Sequence, residues 1–402
     1  MNILYIAYSC KPNKGSEEKI GWNVPVESAK HNKVFVVTKI ESREAIEEYL
    51  KKNPIENIKF YYIDIAGVYK KIFKGIMYAG RLNRYHKKAY PLVKKICRDE
   101  NIDVIHQITP IEFRSVGNFS KIKGVKFVCG PLGGGEYFPP CFKKYAKGNM
   151  WAENARKILN FCSKLRYKLC NTLKNCDHVL FANDETKEYL SGVVDKKKCD
   201  LFSEIGISVE EIPQSLEKST AQSRFSMLVA GRLAYRKGHE FLLEVLKELP
   251  LDFDYECRFL GEGPLEKKLK NTVCNYGLQE RVVFKGRIPY EEMAQEYRNA
   301  DVFIMPSIRE TTGTVLLESL CNGLPIVTMK KFGAALLLDD TNAYFYEGNN
   351  LEEYKRSLKN IILNLANSPR EVQQMGENAR KASHKHIWSE KLKFYNSIYE
   401  KL

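Results

Sequence analysis

Residues Pro306–Thr328 read PSIRETTGTVLLESLCNGLPIVT. Just ahead lies the apolar run Val302–Met305, short enough for a buried strand. Thr311, Thr312, Gly313 and Thr314 form a glycine-bearing turn. Val315–Asn322 then has the spacing of a helix, closed by Gly323, Leu324 and Pro325. Ile326–Met329 begins another strand. Strand, glycine loop, helix and strand in that order make the repeating unit of a parallel α/β sheet.

The same stretch carries chemistry. A helix that starts beside Gly313 leaves the N–H groups of Gly313, Thr314 and Val315 unpaired at its positive end, which suits a phosphate. Two carboxylates flank it, Glu310 in the loop and Glu318 on the helix. Glu318 lies among Val315, Leu316, Leu317 and Leu320, and a glutamate in such surroundings needs a partner. An anion site between two hydrogen-bond acceptors fits a molecule with a diphosphate and several hydroxyls. A nucleotide-sugar is one.

Outward from this segment the alternation continues. In the second half the expected strands are Ser226–Ala230, Tyr255–Leu260, Arg281–Lys285, Val302–Met305 and Ile326–Met329. The expected helices are His239–Glu248, Pro264–Tyr276, Tyr290–Asn299, Val315–Asn322 and Leu351–Asn367. In the first half the strands are Ile3–Ala7, Lys33–Thr38, Ile58–Ile65, Val104–Gln107, Lys126–Cys129 and His178–Ala182. The helices there are Glu17–Lys30, Ser42–Lys52, Tyr69–Arg98, Ala152–Asn175 and Asp184–Leu190. The fold class is α/β, with two doubly wound domains that bind ligands at the carboxyl ends of their strands. The boundary is expected within Ile205–Thr220, giving domains 1–207 and 208–382 and a terminal helix in 383–402.

Several strings together resemble the family 4 glycosyltransferases, retaining enzymes of the GT-B fold. They are GRLAYRKG (Gly231–Gly238), GEGP (Gly261–Pro264), KGRIPYEE (Lys285–Glu292), ADVFIMPS (Ala300–Ser307) and the Glu310-x7-Glu318 pair. Their order and spacing are the family's; the match is close over 230–328 and looser before it. The resemblance implies two Rossmann-like domains facing across a cleft, with Trp388–Leu402 crossing back to the first. It implies that Arg232 and Lys237 stabilise a leaving diphosphate and that Glu310 accepts hydrogen bonds from the donor sugar, these three carrying catalysis. Glu318 would hold the ribose, Gly313, Thr314 and Val315 the phosphates or sugar, and Arg287 and Ile288 the base. Gly15, in the turn after the first strand, would approach the diphosphate. The expected activity is a hexosyl transfer from a nucleotide-diphosphate sugar, UDP-linked, to a hydroxyl of a glycan or lipid-linked glycan in surface polysaccharide biosynthesis. A nucleotide-sugar 2-epimerase and a non-catalytic partner subunit are the alternatives on this fold.

Two segments depart from the family pattern. GPLGGGE (Gly130–Glu136) stands where many relatives have a histidine near the donor sugar. Its glycines, Gly133 and Gly134 among them, permit close approach to an anion or sugar, or form a plain turn. Glu136 is a candidate acceptor contact. His106, at a strand end, either bonds a sugar hydroxyl or is a core histidine. The second departure is KKFGAALLLDD (Lys330–Asp340).

The chain has 402 residues and a net charge of +15, held unevenly. Residues 1–200 carry 37 Lys and Arg against 21 Asp and Glu; the remainder is near neutral. Tyr69–Arg98 has ten basic residues and no acid, with aromatics interleaved, and Phe142–Leu173 is a second such stretch. Basic amphipathic helices suit an anionic membrane surface, or are solvated faces with their aromatics in the core. Nothing resembles a nucleic-acid module. The opening MNILYIAYSC reads as a buried strand rather than a signal peptide, and no apolar run is long enough to span a membrane. The eleven scattered cysteines fit a reducing, cytoplasmic setting, peripheral on a membrane if the basic stretches dock there. Asp252–Asp254 is an Asp-x-Asp string ahead of a strand, which reads as loop, so no metal and no cofactor besides the donor is expected.

Overall fold

Each apolar run expected to be a strand forms one, and every strand pair is parallel. The structure, a computed structural model, describes residues 1–65, 78–214 and 224–402. The chain divides into two compact units. The first comprises Met1–Glu136, Trp151–Gly206 and Trp388–Leu402; the second comprises Tyr137–Met150 and Ile207–Ile387. Tyr137–Met150 therefore packs with the second unit, not with the first as the sequence division had it. The cause is aromatic: Phe142 is fully buried and meets Phe241 edge-on at 5.2 Å, with Tyr354 at 5.0 Å. The return to the first unit comes at Trp388 rather than at 383.

Among the described residues the first unit has seven strands: β1 (Asn2–Ala7), β2 (Lys33–Lys39), β3 (Ile58–Ile63), β4 (Val104–Thr109), β5 (Lys126–Leu132), β6 (His178–Phe181) and β7 (Cys199–Leu201). Their order is β3-β2-β1-β4-β5-β6-β7. Ile3 to Ala7 have no exposed surface, as a parallel strand covered on both faces requires. Helices α1 (Ser16–Ser28), α2 (Arg43–Lys52), α3 (Tyr78–Asp99), α4 (Met150–Cys170) and α5 (Asp184–Tyr189) connect them. On α3, Leu82, Tyr85, Ala89, Val93 and Ile96 share one buried face. Each large side chain there contributes about 1.5–3 kcal/mol by leaving water. The described part of the first basic stretch, residues 78–98, is thus a core helix with a solvated basic side; residues 69–77 of that stretch lie outside the described residues.

Among its described residues the second unit has six strands: β8 (Phe225–Ala230), β9 (Tyr255–Leu260), β10 (Val282–Gly286), β11 (Val302–Met305), β12 (Ile326–Thr328) and β13 (Ala343–Phe345), ordered β10-β9-β8-β11-β12-β13. Its helices are α6 (His239–Lys247), α7 (Glu266–Asn275), α8 (Tyr290–Arg298), α9 (Thr314–Cys321), the short α10 (Ala334–Leu337), α11 (Leu351–Ala366) and α12 (Pro369–Ser383). The terminal helix α13 (Trp388–Tyr399) rejoins the first unit, where Tyr395 and Tyr399 pack on His106. The strand order reverses between β8 and β11, so the loops after these strands diverge and leave room for a ligand.

Candidate functional site

The loop after β8 is shaped by glycines. Gly231 has φ +139°, and Gly261 after β9 has φ +120°. A Cβ on Gly261 would lie 2.3 Å from the Gly231 carbonyl oxygen, so these loops pack backbone on backbone. Tyr235–Lys237 then makes one 3-10 turn, ended by Gly238 in the left-handed region at φ 70° and ψ 15°. The Arg236 carbonyl accepts from the N–H groups of Ile308 at 2.9 Å and Arg309 at 3.2 Å. This bond ties the turn after β8 to the loop after β11.

That tie brings Lys237 to Glu310. The ammonium pairs directly with Oε2 of Glu310, and Nη1 of Arg236 stands 3.4 Å from both carboxylate oxygens. Lys237 and Glu310 are largely buried, at 13% and 12% side-chain exposure. Burial by itself pushes the Glu310 carboxyl up; Lys237, Arg236 and the Thr311 N–H outweigh it and hold the carboxyl below its ordinary value. Glu310 is thus a charged group at neutral pH. Arg232 differs: its side chain is exposed and has no hydrogen bond or ion pair among the described residues.

Three residues past Glu310, Gly313 (φ +95°) begins α9. The N–H groups of Gly313, Thr314 and Val315 meet no acceptor among the described residues. Glu318, one turn in, accepts from the Tyr297 hydroxyl at 2.8 Å. Arg287 is exposed beyond β10 and Ile288 is partly buried beside it. The divergent string Lys330–Asp340 supports the site loop: Gly333 N–H donates to Thr311 O at 2.8 Å, and a Cβ on Gly333 would lie 2.4 Å from Thr312 Cα. Lys237, Glu310 and the start of α9 are therefore gathered at the switch between β8 and β11. Arg236 belongs to this group too. Within GRLAYRKG it is only the cation next to Lys237, and a run of two cations does not say which one faces inward.

In the first unit the structure selects between the two readings of His106 and of the glycine run, and corrects that of Glu136. His106 is wholly buried. Its Nε2 lies 2.7 Å from Gly130 O and its Nδ1 2.6 Å from the Tyr399 hydroxyl. Nε2 must donate to the carbonyl, so Nδ1 accepts from the tyrosine. Burial lowers its pKa to about 4. It is a satisfied core histidine. Glu136 is also buried, and it accepts from Gly134 N–H and Asn183 Nδ2 at 2.8 Å and from Arg156 Nη2 at 3.0 Å. The glycine run presents no anion nest. Gly133 N–H donates to Ile111 O, Gly135 N–H to Thr186 Oγ1, and Gly134 O accepts from Arg156 and Asn160. Glu136 and its loop are a pinned structural turn because every one of these groups finds an internal partner. Gly15 caps α1 at φ −91°, exposed and with open space around its Cα.

Asp252–Asp254 precedes β9, with Asp254 bound to Arg224 at 3.0 Å. Among the described residues no group of three His, Cys, Asp or Glu could hold a metal ion, and no helix is long and apolar enough to cross a membrane. A cavity of about 650 Å³ opens on Lys330, Lys331, Tyr346 and Arg356; it includes none of the candidate residues.

Comparison with known proteins bears on the family and the fold. Residues 210–382 match the family model described as glycosyl transferases group 1. The chain is 26% identical over 338 residues to the uncharacterized glycosyltransferase MJ1178 of Methanocaldococcus jannaschii, covering 83% of each protein. It is 28% identical over 187 residues to alpha-monoglucosyldiacylglycerol synthase of Streptococcus pneumoniae, covering 43% of this chain and 42% of that one. Its structure is similar to that of Anabaena Alr3699/HepE, solved with UDP and glucose, at a TM-score of 0.66 and 16% identity over all of both chains. That likeness is one of fold.

Proposed function

We propose that this chain, which has the two-domain GT-B fold, is a glycosyltransferase of group 1 and takes its sugar from a nucleotide-diphosphate donor bound at the β8–β11 switch. One observation carries the proposal. A charged, largely buried Glu310 sits between Lys237 and Arg236, beside three unpaired N–H groups at the start of α9. Donors and cations fixed before the reaction stabilise developing charge without reorganisation. Arg232, exposed and unpaired among the described residues, and Lys237 would take the charge of the leaving diphosphate. The N–H groups of Gly313, Thr314 and Val315 would take a phosphate or sugar oxygen. Glu310 would orient Lys237 and accept from a sugar hydroxyl; Glu318, steadied by Tyr297, would accept from the ribose. Arg287 and Ile288 would border the base.

We read the donor as UDP-linked, in keeping with the UDP-bound relative of the same fold. The transfer is read as retaining. The bond from the anomeric carbon to the phosphate oxygen breaks, the acceptor oxygen bonds on the same face, and its proton passes to the departing phosphate. The acceptor is read as a hydroxyl of a glycan or lipid-linked glycan of surface polysaccharide synthesis.

The test is thermal stabilisation by UDP-, GDP-, ADP- and dTDP-sugars, followed by nucleotide release with and without acceptor. A ligand bound only by the folded chain raises its stability. Stabilisation by a UDP-sugar with slow UDP release is expected. Stabilisation by none would remove the donor site, and an epimerised free nucleotide-sugar formed without acceptor would replace transfer with epimerisation.

A further inference from the structure

Helix α4 is amphipathic in the reverse sense for a surface helix. Its buried stripe is polar: Glu153, Asn160 and Tyr167 recur every seventh residue and face inward. Asn160 donates to Gly134 O, Tyr167 donates to Phe113 O, and Arg156 holds Glu136. The outward stripe is apolar. Trp151, Ile158, Phe161, Leu165 and Leu169 are 66%, 63%, 62%, 46% and 74% exposed. At 100° per residue they fall within one narrow sector of the helix. A contiguous exposed patch of large apolar side chains on a soluble unit marks something that covers it.

The charge beside the patch says what that is. Helix α4 has five basic residues and one acid, and the acid, Glu153, is buried. Lys157 and Lys168 are exposed along one edge of the stripe. No exposed acidic side chain on this helix opposes them. We propose that the outward face of α4 docks on an anionic lipid bilayer, its apolar stripe in the headgroup–acyl boundary and Lys157 and Lys168 against lipid phosphates. Apolar residues facing out, bordered by lysines, are what an in-plane interfacial helix requires. A protein partner would match the apolar stripe alone; the lysine edge favours the lipid.

The consequence is structural as well as positional. The inner face of the docked helix is the one that pins Gly134 and Glu136, so contact with lipid bears on the helix that holds the loop after β5. The inference does not depend on the donor reading.

Trp151 supplies the readout, since the other two tryptophans, Trp22 and Trp388, are 5% and 4% exposed. The full chain is floated with vesicles of phosphatidylcholine, alone or mixed with phosphatidylglycerol, while tryptophan emission is recorded. The expected result is flotation and a blue shift with the mixed vesicles at low salt. The double variant Phe161→Glu, Leu165→Glu should lose both and keep its melting temperature, because both side chains are exposed. Lys157→Glu with Lys168→Glu should weaken binding by at least about tenfold at low salt and much less at high salt. No flotation by the native chain, or equal flotation by the Phe161→Glu, Leu165→Glu variant, would overturn the proposal. So would a dimer in sedimentation that this variant abolishes, with no vesicle binding; the face would then belong to a second copy. Stabilisation by nucleotide-sugars, measured on the same variants, keeps a failure here apart from a failure of the donor site.

Discussion

Lys237 and Glu310 form a largely buried ion pair that joins the turn after β8 to the loop after β11. The two residues are far apart in sequence, and the backbone bonds from Ile308 and Arg309 to Arg236 O fix their approach. The pair is a pre-formed piece of charge, with Arg236 as a second cation at 3.4 Å. Arg232 stands outside it, without a partner among the described residues. Two cations of one motif therefore have different physical standing.

This difference separates two variants. Arg232→Ala removes a cation that the folded chain does not use, so its melting temperature should stay near the parent's. Lys237→Ala leaves Glu310 with the more distant Arg236 and the Thr311 N–H and should cost about 1–3 kcal/mol of stability. Both should lower turnover by about 10²–10³, the scale for removing a group that stabilises a developing anion. Thermal melts and nucleotide-release rates on the same samples check this. Equal melting losses would show that Arg232 is also structural.

Glu310 gives a pH dependence whose sign follows from its environment. Its carboxyl is held below the ordinary value near 4.5, so the folded chain keeps it ionised where the unfolded chain begins to bind a proton. The stabilisation is complete above about pH 4.5 and is lost as pH falls through the lower folded value. Glu310→Gln should therefore flatten part of the acid decline in stability. Denaturant midpoints of parent and variant between pH 6 and pH 3 measure it; parallel curves would deny the pairing its role.

Gly238→Ala tests the loop geometry. The position is left-handed at φ 70°, and a Cβ would lie 1.8 Å from Pro306 O, a backbone atom that cannot rotate away. The strain and the clash together should cost more than about 2 kcal/mol and displace Lys237. Gly15→Ala, with open space and negative φ, should leave stability almost unchanged. Melting curves of the two variants give the contrast.

Much of this arrangement was legible in the chain. The stretch 302–328 marks β11, α9 and β12 through its apolar runs, its glycine turn and its Gly-Leu-Pro stop. Strands β7 and β13 are not legible because each is a three-residue edge strand without the Ile- and Val-rich run that marks β12. Helix α12 was missed although Pro369 stands at its first position, where proline fits a helix start. Local pattern said nothing of Tyr137–Met150 joining the second unit, since that is decided by Phe142 meeting Phe241 and Tyr354 from distant sequence. From sequence Glu136 reads as a ligand group, and His106 as either a ligand or a core histidine, because their partners, Tyr399, Arg156 and Asn183, lie far along the chain.

Activity without a divalent metal is a further expectation. At the proposed donor site Arg232 and Lys237 would supply the positive charge that a metal would bring to a diphosphate. Nucleotide release in EDTA should match release in magnesium. A loss in EDTA restored by magnesium or manganese would assign that charge to a metal instead.

His106 supplies the last test, one that separates a core histidine from a ligand. Burial lowers its pKa to about 4 from an ordinary 6.5. Between these values the unfolded chain binds a proton that the folded chain refuses, so stability rises with pH across this window. It is complete above about 6.5 and declines as pH falls toward 4. The contribution should amount to about 2 kcal/mol at pH 5 relative to pH 7. His106→Gln should remove that part of the slope while lowering stability at pH 7, since it loses the fit between Gly130 O and the Tyr399 hydroxyl. Stabilisation by a nucleotide-sugar should be the same in parent and variant. A variant that folds as well as the parent and binds the donor less tightly would return His106 to the ligand site.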